Sequence, residues 1–514
     1  MPLALNPNSA RDEVNSYVDK TETEKIRSYP QFFTELRLDT FRHIINLTLS
    51  FQHPITVISG SNRSGKTTAL MAIACSHFNF KRHNVINGAW ERTTWSKMMR
   101  FTINDTQAAD WHYRVSFREG SASHSVHGYK RQASGKWGGA AKKSRQIGHP
   151  TAGHPNGGRE VTLIDLNRIT PGRHLSQSYF NKARRAAPAA IPNEAKFNAY
   201  LSYILEDTYH VQEISKAADG RVYKYTTTST YSSFNTASGE DVLSVMLADV
   251  LRTPANSLIL IDEIEVGLHP KTQRRLMDVL YMISKDEYKQ FIITTHSYAI
   301  LNSVPPVSRI FIENRGGNHI PHPGLSTYEA LTRMDSEIFP VVTVYVEDDE
   351  SKFIVQKAIE ELNSTNNGIA RLIRAIAVGP ANETYDYFKH RELLRDQERI
   401  STKAACVLDG DMENKRDSNG DLKYPTQDGL FFHFSNEAPE KMMVRKYLAN
   451  NPNDVMTYHV DHSNPHCLLQ KMAEEGLAVN KQNALESCFS AYRNSPDGSI
   501  HFDGLKQFLL NQIH

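Results

Sequence analysis

The sequence lacks several features that mark specialised classes of protein. Its 514 residues include only four cysteines, and no two of them form a C-x-x-C pair. A disulfide-stabilised scaffold and the common zinc-ribbon spacings are therefore excluded, and a reducing compartment is favoured. No run of about 18 apolar residues occurs, so we expect no transmembrane helix and no membrane partner. The N-terminus lacks the apolar segment of a signal peptide, so we predict a cytoplasmic location.

The chain as a whole also lacks an excess of charge of one sign, although single segments are strongly charged. The 59 Lys and Arg residues nearly balance the 57 Asp and Glu residues. Residues 120–159, the basic segment, contain nine of the 27 glycines, seven Lys or Arg residues and no acid. Because this segment shows no apolar period, we predict a mobile loop suited to a phosphate backbone or an acidic partner. DNA therefore stays a possible partner.

The order of apolar segments predicts an α/β protein of two to four domains, at roughly 100–200 residues per domain. Predicted strands alternate with predicted helices, one of them over 192–216, and this alternation is typical of parallel sheets. We predict a lead-in, irregular or helical, over residues 1–30. A large domain over 31–335 and a smaller one over 336–450 follow, and a helical extension over 451–514 ends the chain.

One motif predicts a phosphate-binding loop. Gly60 to Thr67 fit the pattern G-x-x-x-x-G-K-[ST] and lie between a predicted strand and a predicted helix. The glycines let backbone amides point at phosphate oxygens, and the helix N-terminus adds its dipole. Lys66 would reach the β- and γ-phosphates, and Thr67 would hold Mg²⁺. We predict ATP and Mg²⁺ as cofactors, bound by Gly60, Asn62, Ser64, Gly65, Lys66, Thr67 and Thr68.

Two strand ends add candidate catalytic groups. A buried strand over 258–261 ends in Asp262, which would bind Mg²⁺, and Glu263, which would orient or activate a water molecule. His296 follows the next strand and would contact the γ-phosphate at the edge where ligands bind in open α/β sheets.

A third element precedes the helix predicted over 241–251. Ser238, Gly239 and Glu240 have the small residues and the helix start of a second anion site. An ordinary helix cap by Ser238 explains the same residues equally well.

Together these motifs resemble an ATPase of the ATP-binding-cassette (ABC) type, with an S-G-E signature similar to that of recombination and defence ATPases. The resemblance implies Lys66, Glu263 and His296 as catalytic residues. It also implies a homodimer or higher homo-oligomer through the ATPase heads, with Ser238 and Gly239 acting on the partner's nucleotide. Residues 265–270 follow the strand as they do in RecF-like and OLD-like (overcoming lysogenisation defect) proteins. Gln107 is a weak candidate for the Q-loop glutamine.

Acidic residues also end two strands of the second domain. Glu347 follows a strand over 341–346, and Asp409 and Asp411 follow one over 404–408. Carboxylates at the ends of parallel strands can converge on a divalent cation, which activates water and stabilises phosphoryl transfer. Acids that are merely solvated at strand ends would give the same pattern.

These acids resemble the glutamate and D-x-D motifs of a TOPRIM domain, and a head followed by TOPRIM is the layout of OLD-family and Gabija nucleases. Glu440 and Lys441 resemble a later OLD-type segment and are implied to join the site. Two departures are Asp348, where glycine is usual, and an apparent insertion over 412–428. The implied fold is α/β: an ABC-type P-loop head with a mixed sheet, then a smaller TOPRIM-like parallel domain.

Two functions follow from the resemblance. The first is an ATP-gated, Mg²⁺-dependent DNA endonuclease in bacterial anti-phage defence, with Glu347, Asp409 and Asp411 as metal ligands. The second is an ATPase scaffold with a degenerate TOPRIM domain, similar to Septu and PARIS ATPases. It would release a separately encoded toxic effector on a phage trigger. Four C-terminal residues with metal-binding side chains are interpreted as single loop residues rather than a zinc site: His459, His462, His466 and Cys467.

Overall fold

The computed structural model divides the chain into two compact units, Met1–Ala330 (unit 1) and Leu331–His514 (unit 2). The predicted boundary at 335 and the candidate Gln107 lie outside the residues that the structure describes. Among the described residues, no helix is both long enough and apolar enough to cross a bilayer. The described residues are 5–513 except 84–89, 101, 103, 106–108, 154–157, 167–168, 215–221, 316, 335–339, 366–368, 399–401 and 434–435.

Unit 1 is built on a large mixed sheet. The strands of the unit are β1 Gln31–Phe41, β2 Ile44–Ser50, β3 Ile55–Gly60, β4 Phe80–His83, β5 Trp90–Arg92, β6 Trp111–Glu119, β7 Ala122–Lys130, β8 Trp137–Gly139, β9 Val161–Ile164, β10 Pro188–Ala189, β11 His210–Ile214, β12 Tyr223–Thr226, β13 Thr230–Ser232, β14 Leu258–Ile261, β15 Gln290–Thr294, β16 Arg309–Arg315 and β17 Asn318–Pro323. Within the described residues the main sheet has the order β5-β4-β9-β14-β15-β3-β16-β17-β2-β1-β6-β7-β8. Strands β10 to β13 form a small separate sheet.

The centre of the main sheet decides where the site lies. Strands β4, β9, β14, β15, β3 and β16 run parallel, with Ile261 opposite Ile164 and Ile293 opposite Val57. Strands β3, β9, β14 and β15 are buried along their whole length, as is usual for parallel strands covered on both faces. Their C-terminal ends therefore meet at one edge, and every loop that leaves this edge can contribute to one site.

Helices cover the sheet of unit 1. They are α1 Pro7–Asn15, α2 Glu22–Ser28, α3 Lys66–Cys75, α4 Trp95–Met98, α5 Gln177–Ala183, α6 Glu194–Leu205, α7 Ser238–Arg252, α8 Pro270–Glu287, α9 Tyr298–Leu301 and α10 Thr327–Met334, which spans the boundary between the units. Helix α3 is apolar on nearly all sides and lies in the core against the sheet. The lead-in is helical, and Arg11 of α1 donates a 2.6 Å hydrogen bond to Asp278 of α8. Residues 5–30 thus pack on unit 1.

The prediction of a mobile loop over the basic segment is wrong where the chain forms two strands, β7 and β8. Strand β7 pairs with β6 in an antiparallel hairpin that brings Lys130 opposite Trp111, and β8 extends it. Two of the cations are buried: Lys130 lies over the Trp111 ring, and Arg159 donates to Gln290 Oε1 at 2.7 Å. An edge hairpin needs few apolar residues on its outer face, so the sequence shows no period. The cations left exposed are Arg131, Lys136, Lys142, Lys143 and Arg145.

The helix predicted over 192–216 is also too long. Helix α6 ends at Leu205, because Glu206 adopts a left-handed conformation with φ of 60°. His210–Ile214 forms a strand instead, and it pairs with β12. Pairing with a neighbouring strand outweighs local helix propensity here.

Unit 2 holds a smaller sheet that is parallel throughout. Its strands are β18 Val342–Val346, β19 Ile373–Ala377, β20 Lys403–Leu408 and β21 Leu430–Phe432, in the order β19-β18-β20-β21. Its helices are α11 Asp349–Thr365, α12 Ala381–Glu398, α13 Pro439–Asn450, α14 Asp454–His462, α15 Leu468–Glu474, α16 Lys481–Arg493 and α17 Pro496–Ile513. Residues 451–513 belong to this unit, since Arg493 donates to Glu361 of α11 at 3.0 Å.

A single glycine tests the ordered hairpin in the basic segment. A Cβ atom at Gly128 would lie 2.2 Å from the ring of Tyr113, which is fully buried. Gly128→Ala should therefore cost about 1–3 kcal/mol of stability and lower the melting temperature. Gly504→Ala in α17 is the control, because its Cβ would meet nothing within 4 Å. If Gly128→Ala melted like the wild type, the hairpin packing would be wrong.

Candidate nucleotide and metal sites

The phosphate-binding loop connects β3 to α3 and depends on its two glycines. Gly60 and Gly65 have φ values of 153° and 92°, in the region that favours glycine. A Cβ atom would lie 2.4 Å from Ile312 O at Gly60 and 2.6 Å from Ile44 Cδ1 at Gly65. The loop therefore keeps its backbone free to face a phosphate.

Lys66 lies over this loop. Its ammonium donates to Gly60 O at 2.8 Å and to Ser61 O at 3.2 Å, and it lies 3.5 Å from Ser64 Oγ. Burial lowers the pKa of Lys66, while nearby acids oppose that shift. Of the other predicted residues, Asn62 is exposed, whereas Thr68 is buried in the first turn of α3. A phosphate would give the Lys66 ammonium an anionic partner in place of the loop carbonyls, so the loop fits this group.

Asp262 lies where three elements meet. Its Oδ1 accepts hydrogen bonds from Thr67 Oγ1 at 3.2 Å and from Thr294 Oγ1 at 2.6 Å. Burial raises the pKa of Asp262, and the charges of Glu263 and Asp165 add to the effect. A hydroxyl beside buried carboxylates is a donor set that suits Mg²⁺. Thr67 and Asp262 are thus brought together as predicted from sequence.

Glu263 is held by its backbone. Its N–H donates to Thr294 Oγ1 at 2.9 Å, and its φ of 53° is rare for a residue with a side chain. Thr294 therefore positions two consecutive residues. It binds the carboxylate of Asp262 and the backbone N–H of Glu263. The half-buried Glu263 side chain lies at the same sheet edge as Lys66. Its negative charge raises the pKa of the Lys66 ammonium and so opposes the effect of burial.

His296 is positioned by Glu265, a contact that sequence reasoning missed. Glu265 accepts the His296 backbone N–H at 2.6 Å with one carboxylate oxygen and the Thr295 hydroxyl at 2.7 Å with the other. Burial lowers the pKa of His296, and the Lys66 charge lowers it further. The sequence signal for this role was a third acid, two residues beyond Glu263.

Asp165 is a second residue that sequence reasoning missed. It follows β9, next to β14, and so lies at the same edge as Asp262. It is buried and accepts two hydrogen bonds from Arg82, the shorter at 2.5 Å. The sequence does carry a signal for Asp165, because it is an acidic residue directly after a buried strand. The same pattern identified Asp262.

The signature residues begin α7, and Ser238 does not cap the helix. Ala237 is the N-cap residue, and no side chain caps this helix. Ser238 Oγ accepts a hydrogen bond from the exposed Arg173. A Cβ atom at Gly239 would lie 2.3 Å from Gly267 O, so only glycine fits. The Glu240 carboxylate accepts hydrogen bonds from Tyr231 and Thr236, and these contacts hold it against its own chain.

In unit 2, the predicted acids gather at neighbouring strand ends; we name Glu347, Asp409 and Asp411 the acid set. Asp409 N donates to Glu347 Oε1 at 2.7 Å, and Ser351 Oγ donates to Asp409 Oδ1 at 2.9 Å. All three acids line a cavity of about 630 Å³. Asp409 is 4% exposed, so simple solvation does not explain it.

Electrostatics of the acid set favour a cation. Burial raises the pKa of Glu347 and of Asp409, and neighbouring carboxylates raise both further. Like charges this close cannot all ionise without a compensating charge. A hard divalent cation supplies that charge, and carboxylate oxygens are its preferred ligands. The donor set therefore fits Mg²⁺ or Mn²⁺.

The two departures from the expected TOPRIM pattern, Asp348 and the segment 412–428, both contribute residues to the lining of this cavity. Asp348 Oδ1 accepts the Ser351 N–H at 2.8 Å at the start of α11. The segment 412–428 packs beside α12, since Tyr424 OH donates to Asn382 Oδ1 at 2.5 Å. Glu440 is fully buried in the first turn of α13, close enough for its charge to raise the pKa of Asp409. Lys441, by contrast, is half-buried and does not line the cavity.

The four C-terminal residues weighed as a zinc site separate in the structure. His459 pairs with Ser463, His462 Nδ1 lies 2.9 Å from Tyr458 O, and Cys467 is exposed. His466 instead contacts Glu440, with 2.8 Å between Nδ1 and Oε1. The described residues thus do not assemble this set, but the interpretation as loop residues is wrong for His459 and His462, which lie in helix α14.

Comparisons with known proteins concern unit 1. Residues 35–180 match a family described as "AAA domain", and residues 210–302 match one described as "AAA domain, putative AbiEii toxin, Type IV TA system". Both matches lie in unit 1, and both are to AAA-type ATPase domains. No protein of curated function matches the chain in sequence.

Two solved structures are similar to part of the chain. The SMC head domain from Thermotoga maritima is 14% identical with a TM-score of 0.35, and covers 57% of this chain and 98% of its own. The Smc head with an extended coiled coil from Pyrococcus furiosus, solved with the C-terminal domain of ScpA, is 13% identical with a TM-score of 0.37. It covers 57% of this chain and 96% of its own. These scores are too low to support any inference about the chain.

The raised pKa values of the acid set predict a pH-dependent stability. In the metal-free protein, folded Glu347 and Asp409 retain protons that the unfolded chain releases above about pH 4. Folded unit 2 should therefore lose stability as the pH rises above that value. Asp409→Asn should flatten the dependence in thermal unfolding with EDTA between about pH 5 and about pH 8. The exposed Asp421→Asn is the control, and an equal slope in all three proteins would contradict the prediction.

Proposed function

We propose that this protein is an ATP-gated, divalent-metal-dependent nuclease that cuts DNA, with an ATPase head in unit 1 and a TOPRIM-like catalytic domain in unit 2. The observation that carries the proposal is the acid set, in which buried Asp409 and half-buried Glu347 follow adjacent strands and the Asp409 backbone N–H donates to Glu347 Oε1 at 2.7 Å. Buried charged residues with a structural role are usually paired with a residue of the opposite charge. The acid set instead brings carboxylates of like charge together at a cavity.

The ATPase function rests on residues at one sheet edge. Lys66 would neutralise phosphate charge, while Thr67 and Asp262 would hold a Mg²⁺ ion, which stabilises the charge that develops in phosphoryl transfer. Glu263 orients the attacking water molecule, and its fixed backbone keeps the carboxylate in place. His296 would contact the γ-phosphate, and Glu265 holds its loop by accepting the His296 backbone N–H. Charge stabilisation and positioning account for most of the rate enhancement in such sites.

We propose a homodimer or higher homo-oligomer through the heads, because the signature residues suit a ligand outside their own chain. Ser238 and Gly239 lie at a helix N-terminus, where the dipole attracts anions. Arg173 adds an exposed positive charge beside them. ATP bound between two heads would connect the P-loop of one subunit with the signature of the other.

The nuclease function rests on the acid set and on exposed cations. A cation bound by Glu347, Asp409 and Asp411 would polarise a phosphodiester and lower the pKa of bound water. Lys415 and Lys423 line the same cavity and can neutralise phosphate charge. The exposed cations of the basic segment can bind the DNA backbone, and such binding weakens with salt.

A second candidate is the ATPase scaffold that releases a separately encoded toxic effector, and it would act with a degenerate unit 2. Two observations favour it: the toxin–antitoxin description of the family that matches residues 210–302, and Asp348 at a position where TOPRIM domains usually have glycine. Both candidates belong to bacterial defence against phage, and they differ in whether unit 2 cuts nucleic acid.

Glu263→Gln tests the ATPase assignment. Because the amide cannot act as a base, we expect ATP turnover to fall by about 100-fold or more while ATP remains bound and stabilises the dimer. Lys66→Ala is the matched comparison, since it should lose ATP binding as well. Turnover and bound nucleotide are measured with radiolabelled ATP, and dimer formation by light scattering. Unchanged turnover in Glu263→Gln would falsify its role.

Cleavage of plasmid DNA with ATP and Mg²⁺ or Mn²⁺ tests the nuclease assignment. We expect wild-type cleavage and a loss of about 100-fold or more in Asp409→Ala and in Glu347→Ala, because each removes a metal ligand. Asp421→Ala, an exposed acid of the segment 412–428, should cut normally. Absence of cleavage by the wild type would favour the scaffold, as would an ATP-released partner protein in pull-downs.

A further inference from the structure

Three metal-binding side chains from separate elements meet beside the acid set. Asp348 precedes α11, Glu440 lies in the first turn of α13, and His466 lies in the short helical turn Pro465–Cys467. One ligand atom of each lies within 4.8 Å of the other two. His466 Nδ1 is 2.8 Å from Glu440 Oε1 and 3.8 Å from Asp348 Oδ2. Ligand atoms bonded to one metal ion are about 3 Å apart, so small side-chain movements suffice.

Glu440 provides a second, independent observation. Its side chain is fully buried, and Oε1 is paired with His466. Its other oxygen, Oε2, is also buried and has no hydrogen-bond partner among the described residues. A buried carboxylate oxygen without a partner is costly, and such atoms commonly mark a bound ion or water.

An ion pair between protonated His466 and Glu440 explains only part of this arrangement. It satisfies Oε1, but it leaves Oε2 without a partner and brings a second carboxylate, Asp348, to the same nitrogen. The nearby ammonium of Lys481 is already engaged with Glu350 at 2.6 Å. A divalent cation in place of the proton would compensate both carboxylates.

We propose that Asp348, Glu440 and His466 form a cation site that takes a first-row transition metal such as Mn²⁺ or Zn²⁺. An imidazole nitrogen suits these metals, whereas Mg²⁺ prefers oxygen ligands. Three protein ligands leave a coordination position open. Asp348 and His466 line the same cavity as the acid set, so a substrate there can reach this position. The proposal concerns metal binding alone and stands without the proposed nuclease activity.

The site is tested on the metal-free full-length protein with Mn²⁺ alone as the probe. Pulsed electron paramagnetic resonance detects a nitrogen bonded to Mn²⁺, and ions on the acid set have only oxygen ligands. We expect a nitrogen coupling in the wild type that His466→Gln abolishes, with Mn²⁺ affinity at this site reduced about tenfold or more. His466 is exposed, so this substitution should leave the fold intact.

Two further variants separate the site from its neighbours. His459→Gln, on α14, should keep the nitrogen coupling, because its imidazole pairs with Ser463. Asp409→Asn should also keep it, because Asp409 belongs to the acid set. A wild type without nitrogen coupling would overturn the proposal, as would a coupling that survives in His466→Gln. Loss of the coupling in Asp409→Asn would place the ion on the acid set and would also overturn it.

Discussion

Carboxylates of like charge are held close together at the ends of parallel strands, and the arrangement of both sites depends on this constraint. In unit 1 burial raises the pKa of Asp262 and the charges of Glu263 and Asp165 add to the shift; in unit 2 burial raises the pKa of Asp409 and the charge of Glu347 adds to it. Parallel pairing delivers these residues to one edge, because neighbouring strands end together. Burial and like-charge repulsion disfavour the charged forms in both groups, so a bound cation would stabilise them and metal binding is linked to the electrostatics of the fold.

Each edge also has uncharged residues that keep the carboxylates in place. In unit 1, Thr294 donates to Asp262 and accepts from the backbone of Glu263. In unit 2, Ser351 donates to Asp409, whose own amide donates to Glu347. These hydrogen bonds partly offset the repulsion and orient the oxygens before a metal arrives. Preorganisation of this kind reduces the cost of rearrangement during catalysis.

The sequence predicted the residues whose chemistry is carried by local spacing. The loop from Gly60 to Thr67, the strand that ends at Asp262 and the acids Glu347 and Asp409 follow from short motifs and apolar runs. Sequence reasoning missed Glu265, because its role arises from contacts with a loop about 30 residues away. The basic segment was misread for a different reason: β7 pairs with the preceding strand β6 in a hairpin, and the outer strand of such a hairpin shows no apolar period.

X-ray diffraction from crystals grown with a non-hydrolysable ATP analogue and Mn²⁺ tests the central claim most directly, because anomalous scattering locates Mn²⁺ without reference to activity. The account predicts phosphate density along Gly60 to Thr67, one anomalous peak between Thr67 and Asp262, and another between Glu347 and Asp409. Phosphates placed elsewhere, or the absence of an anomalous peak between Glu347 and Asp409, would contradict it.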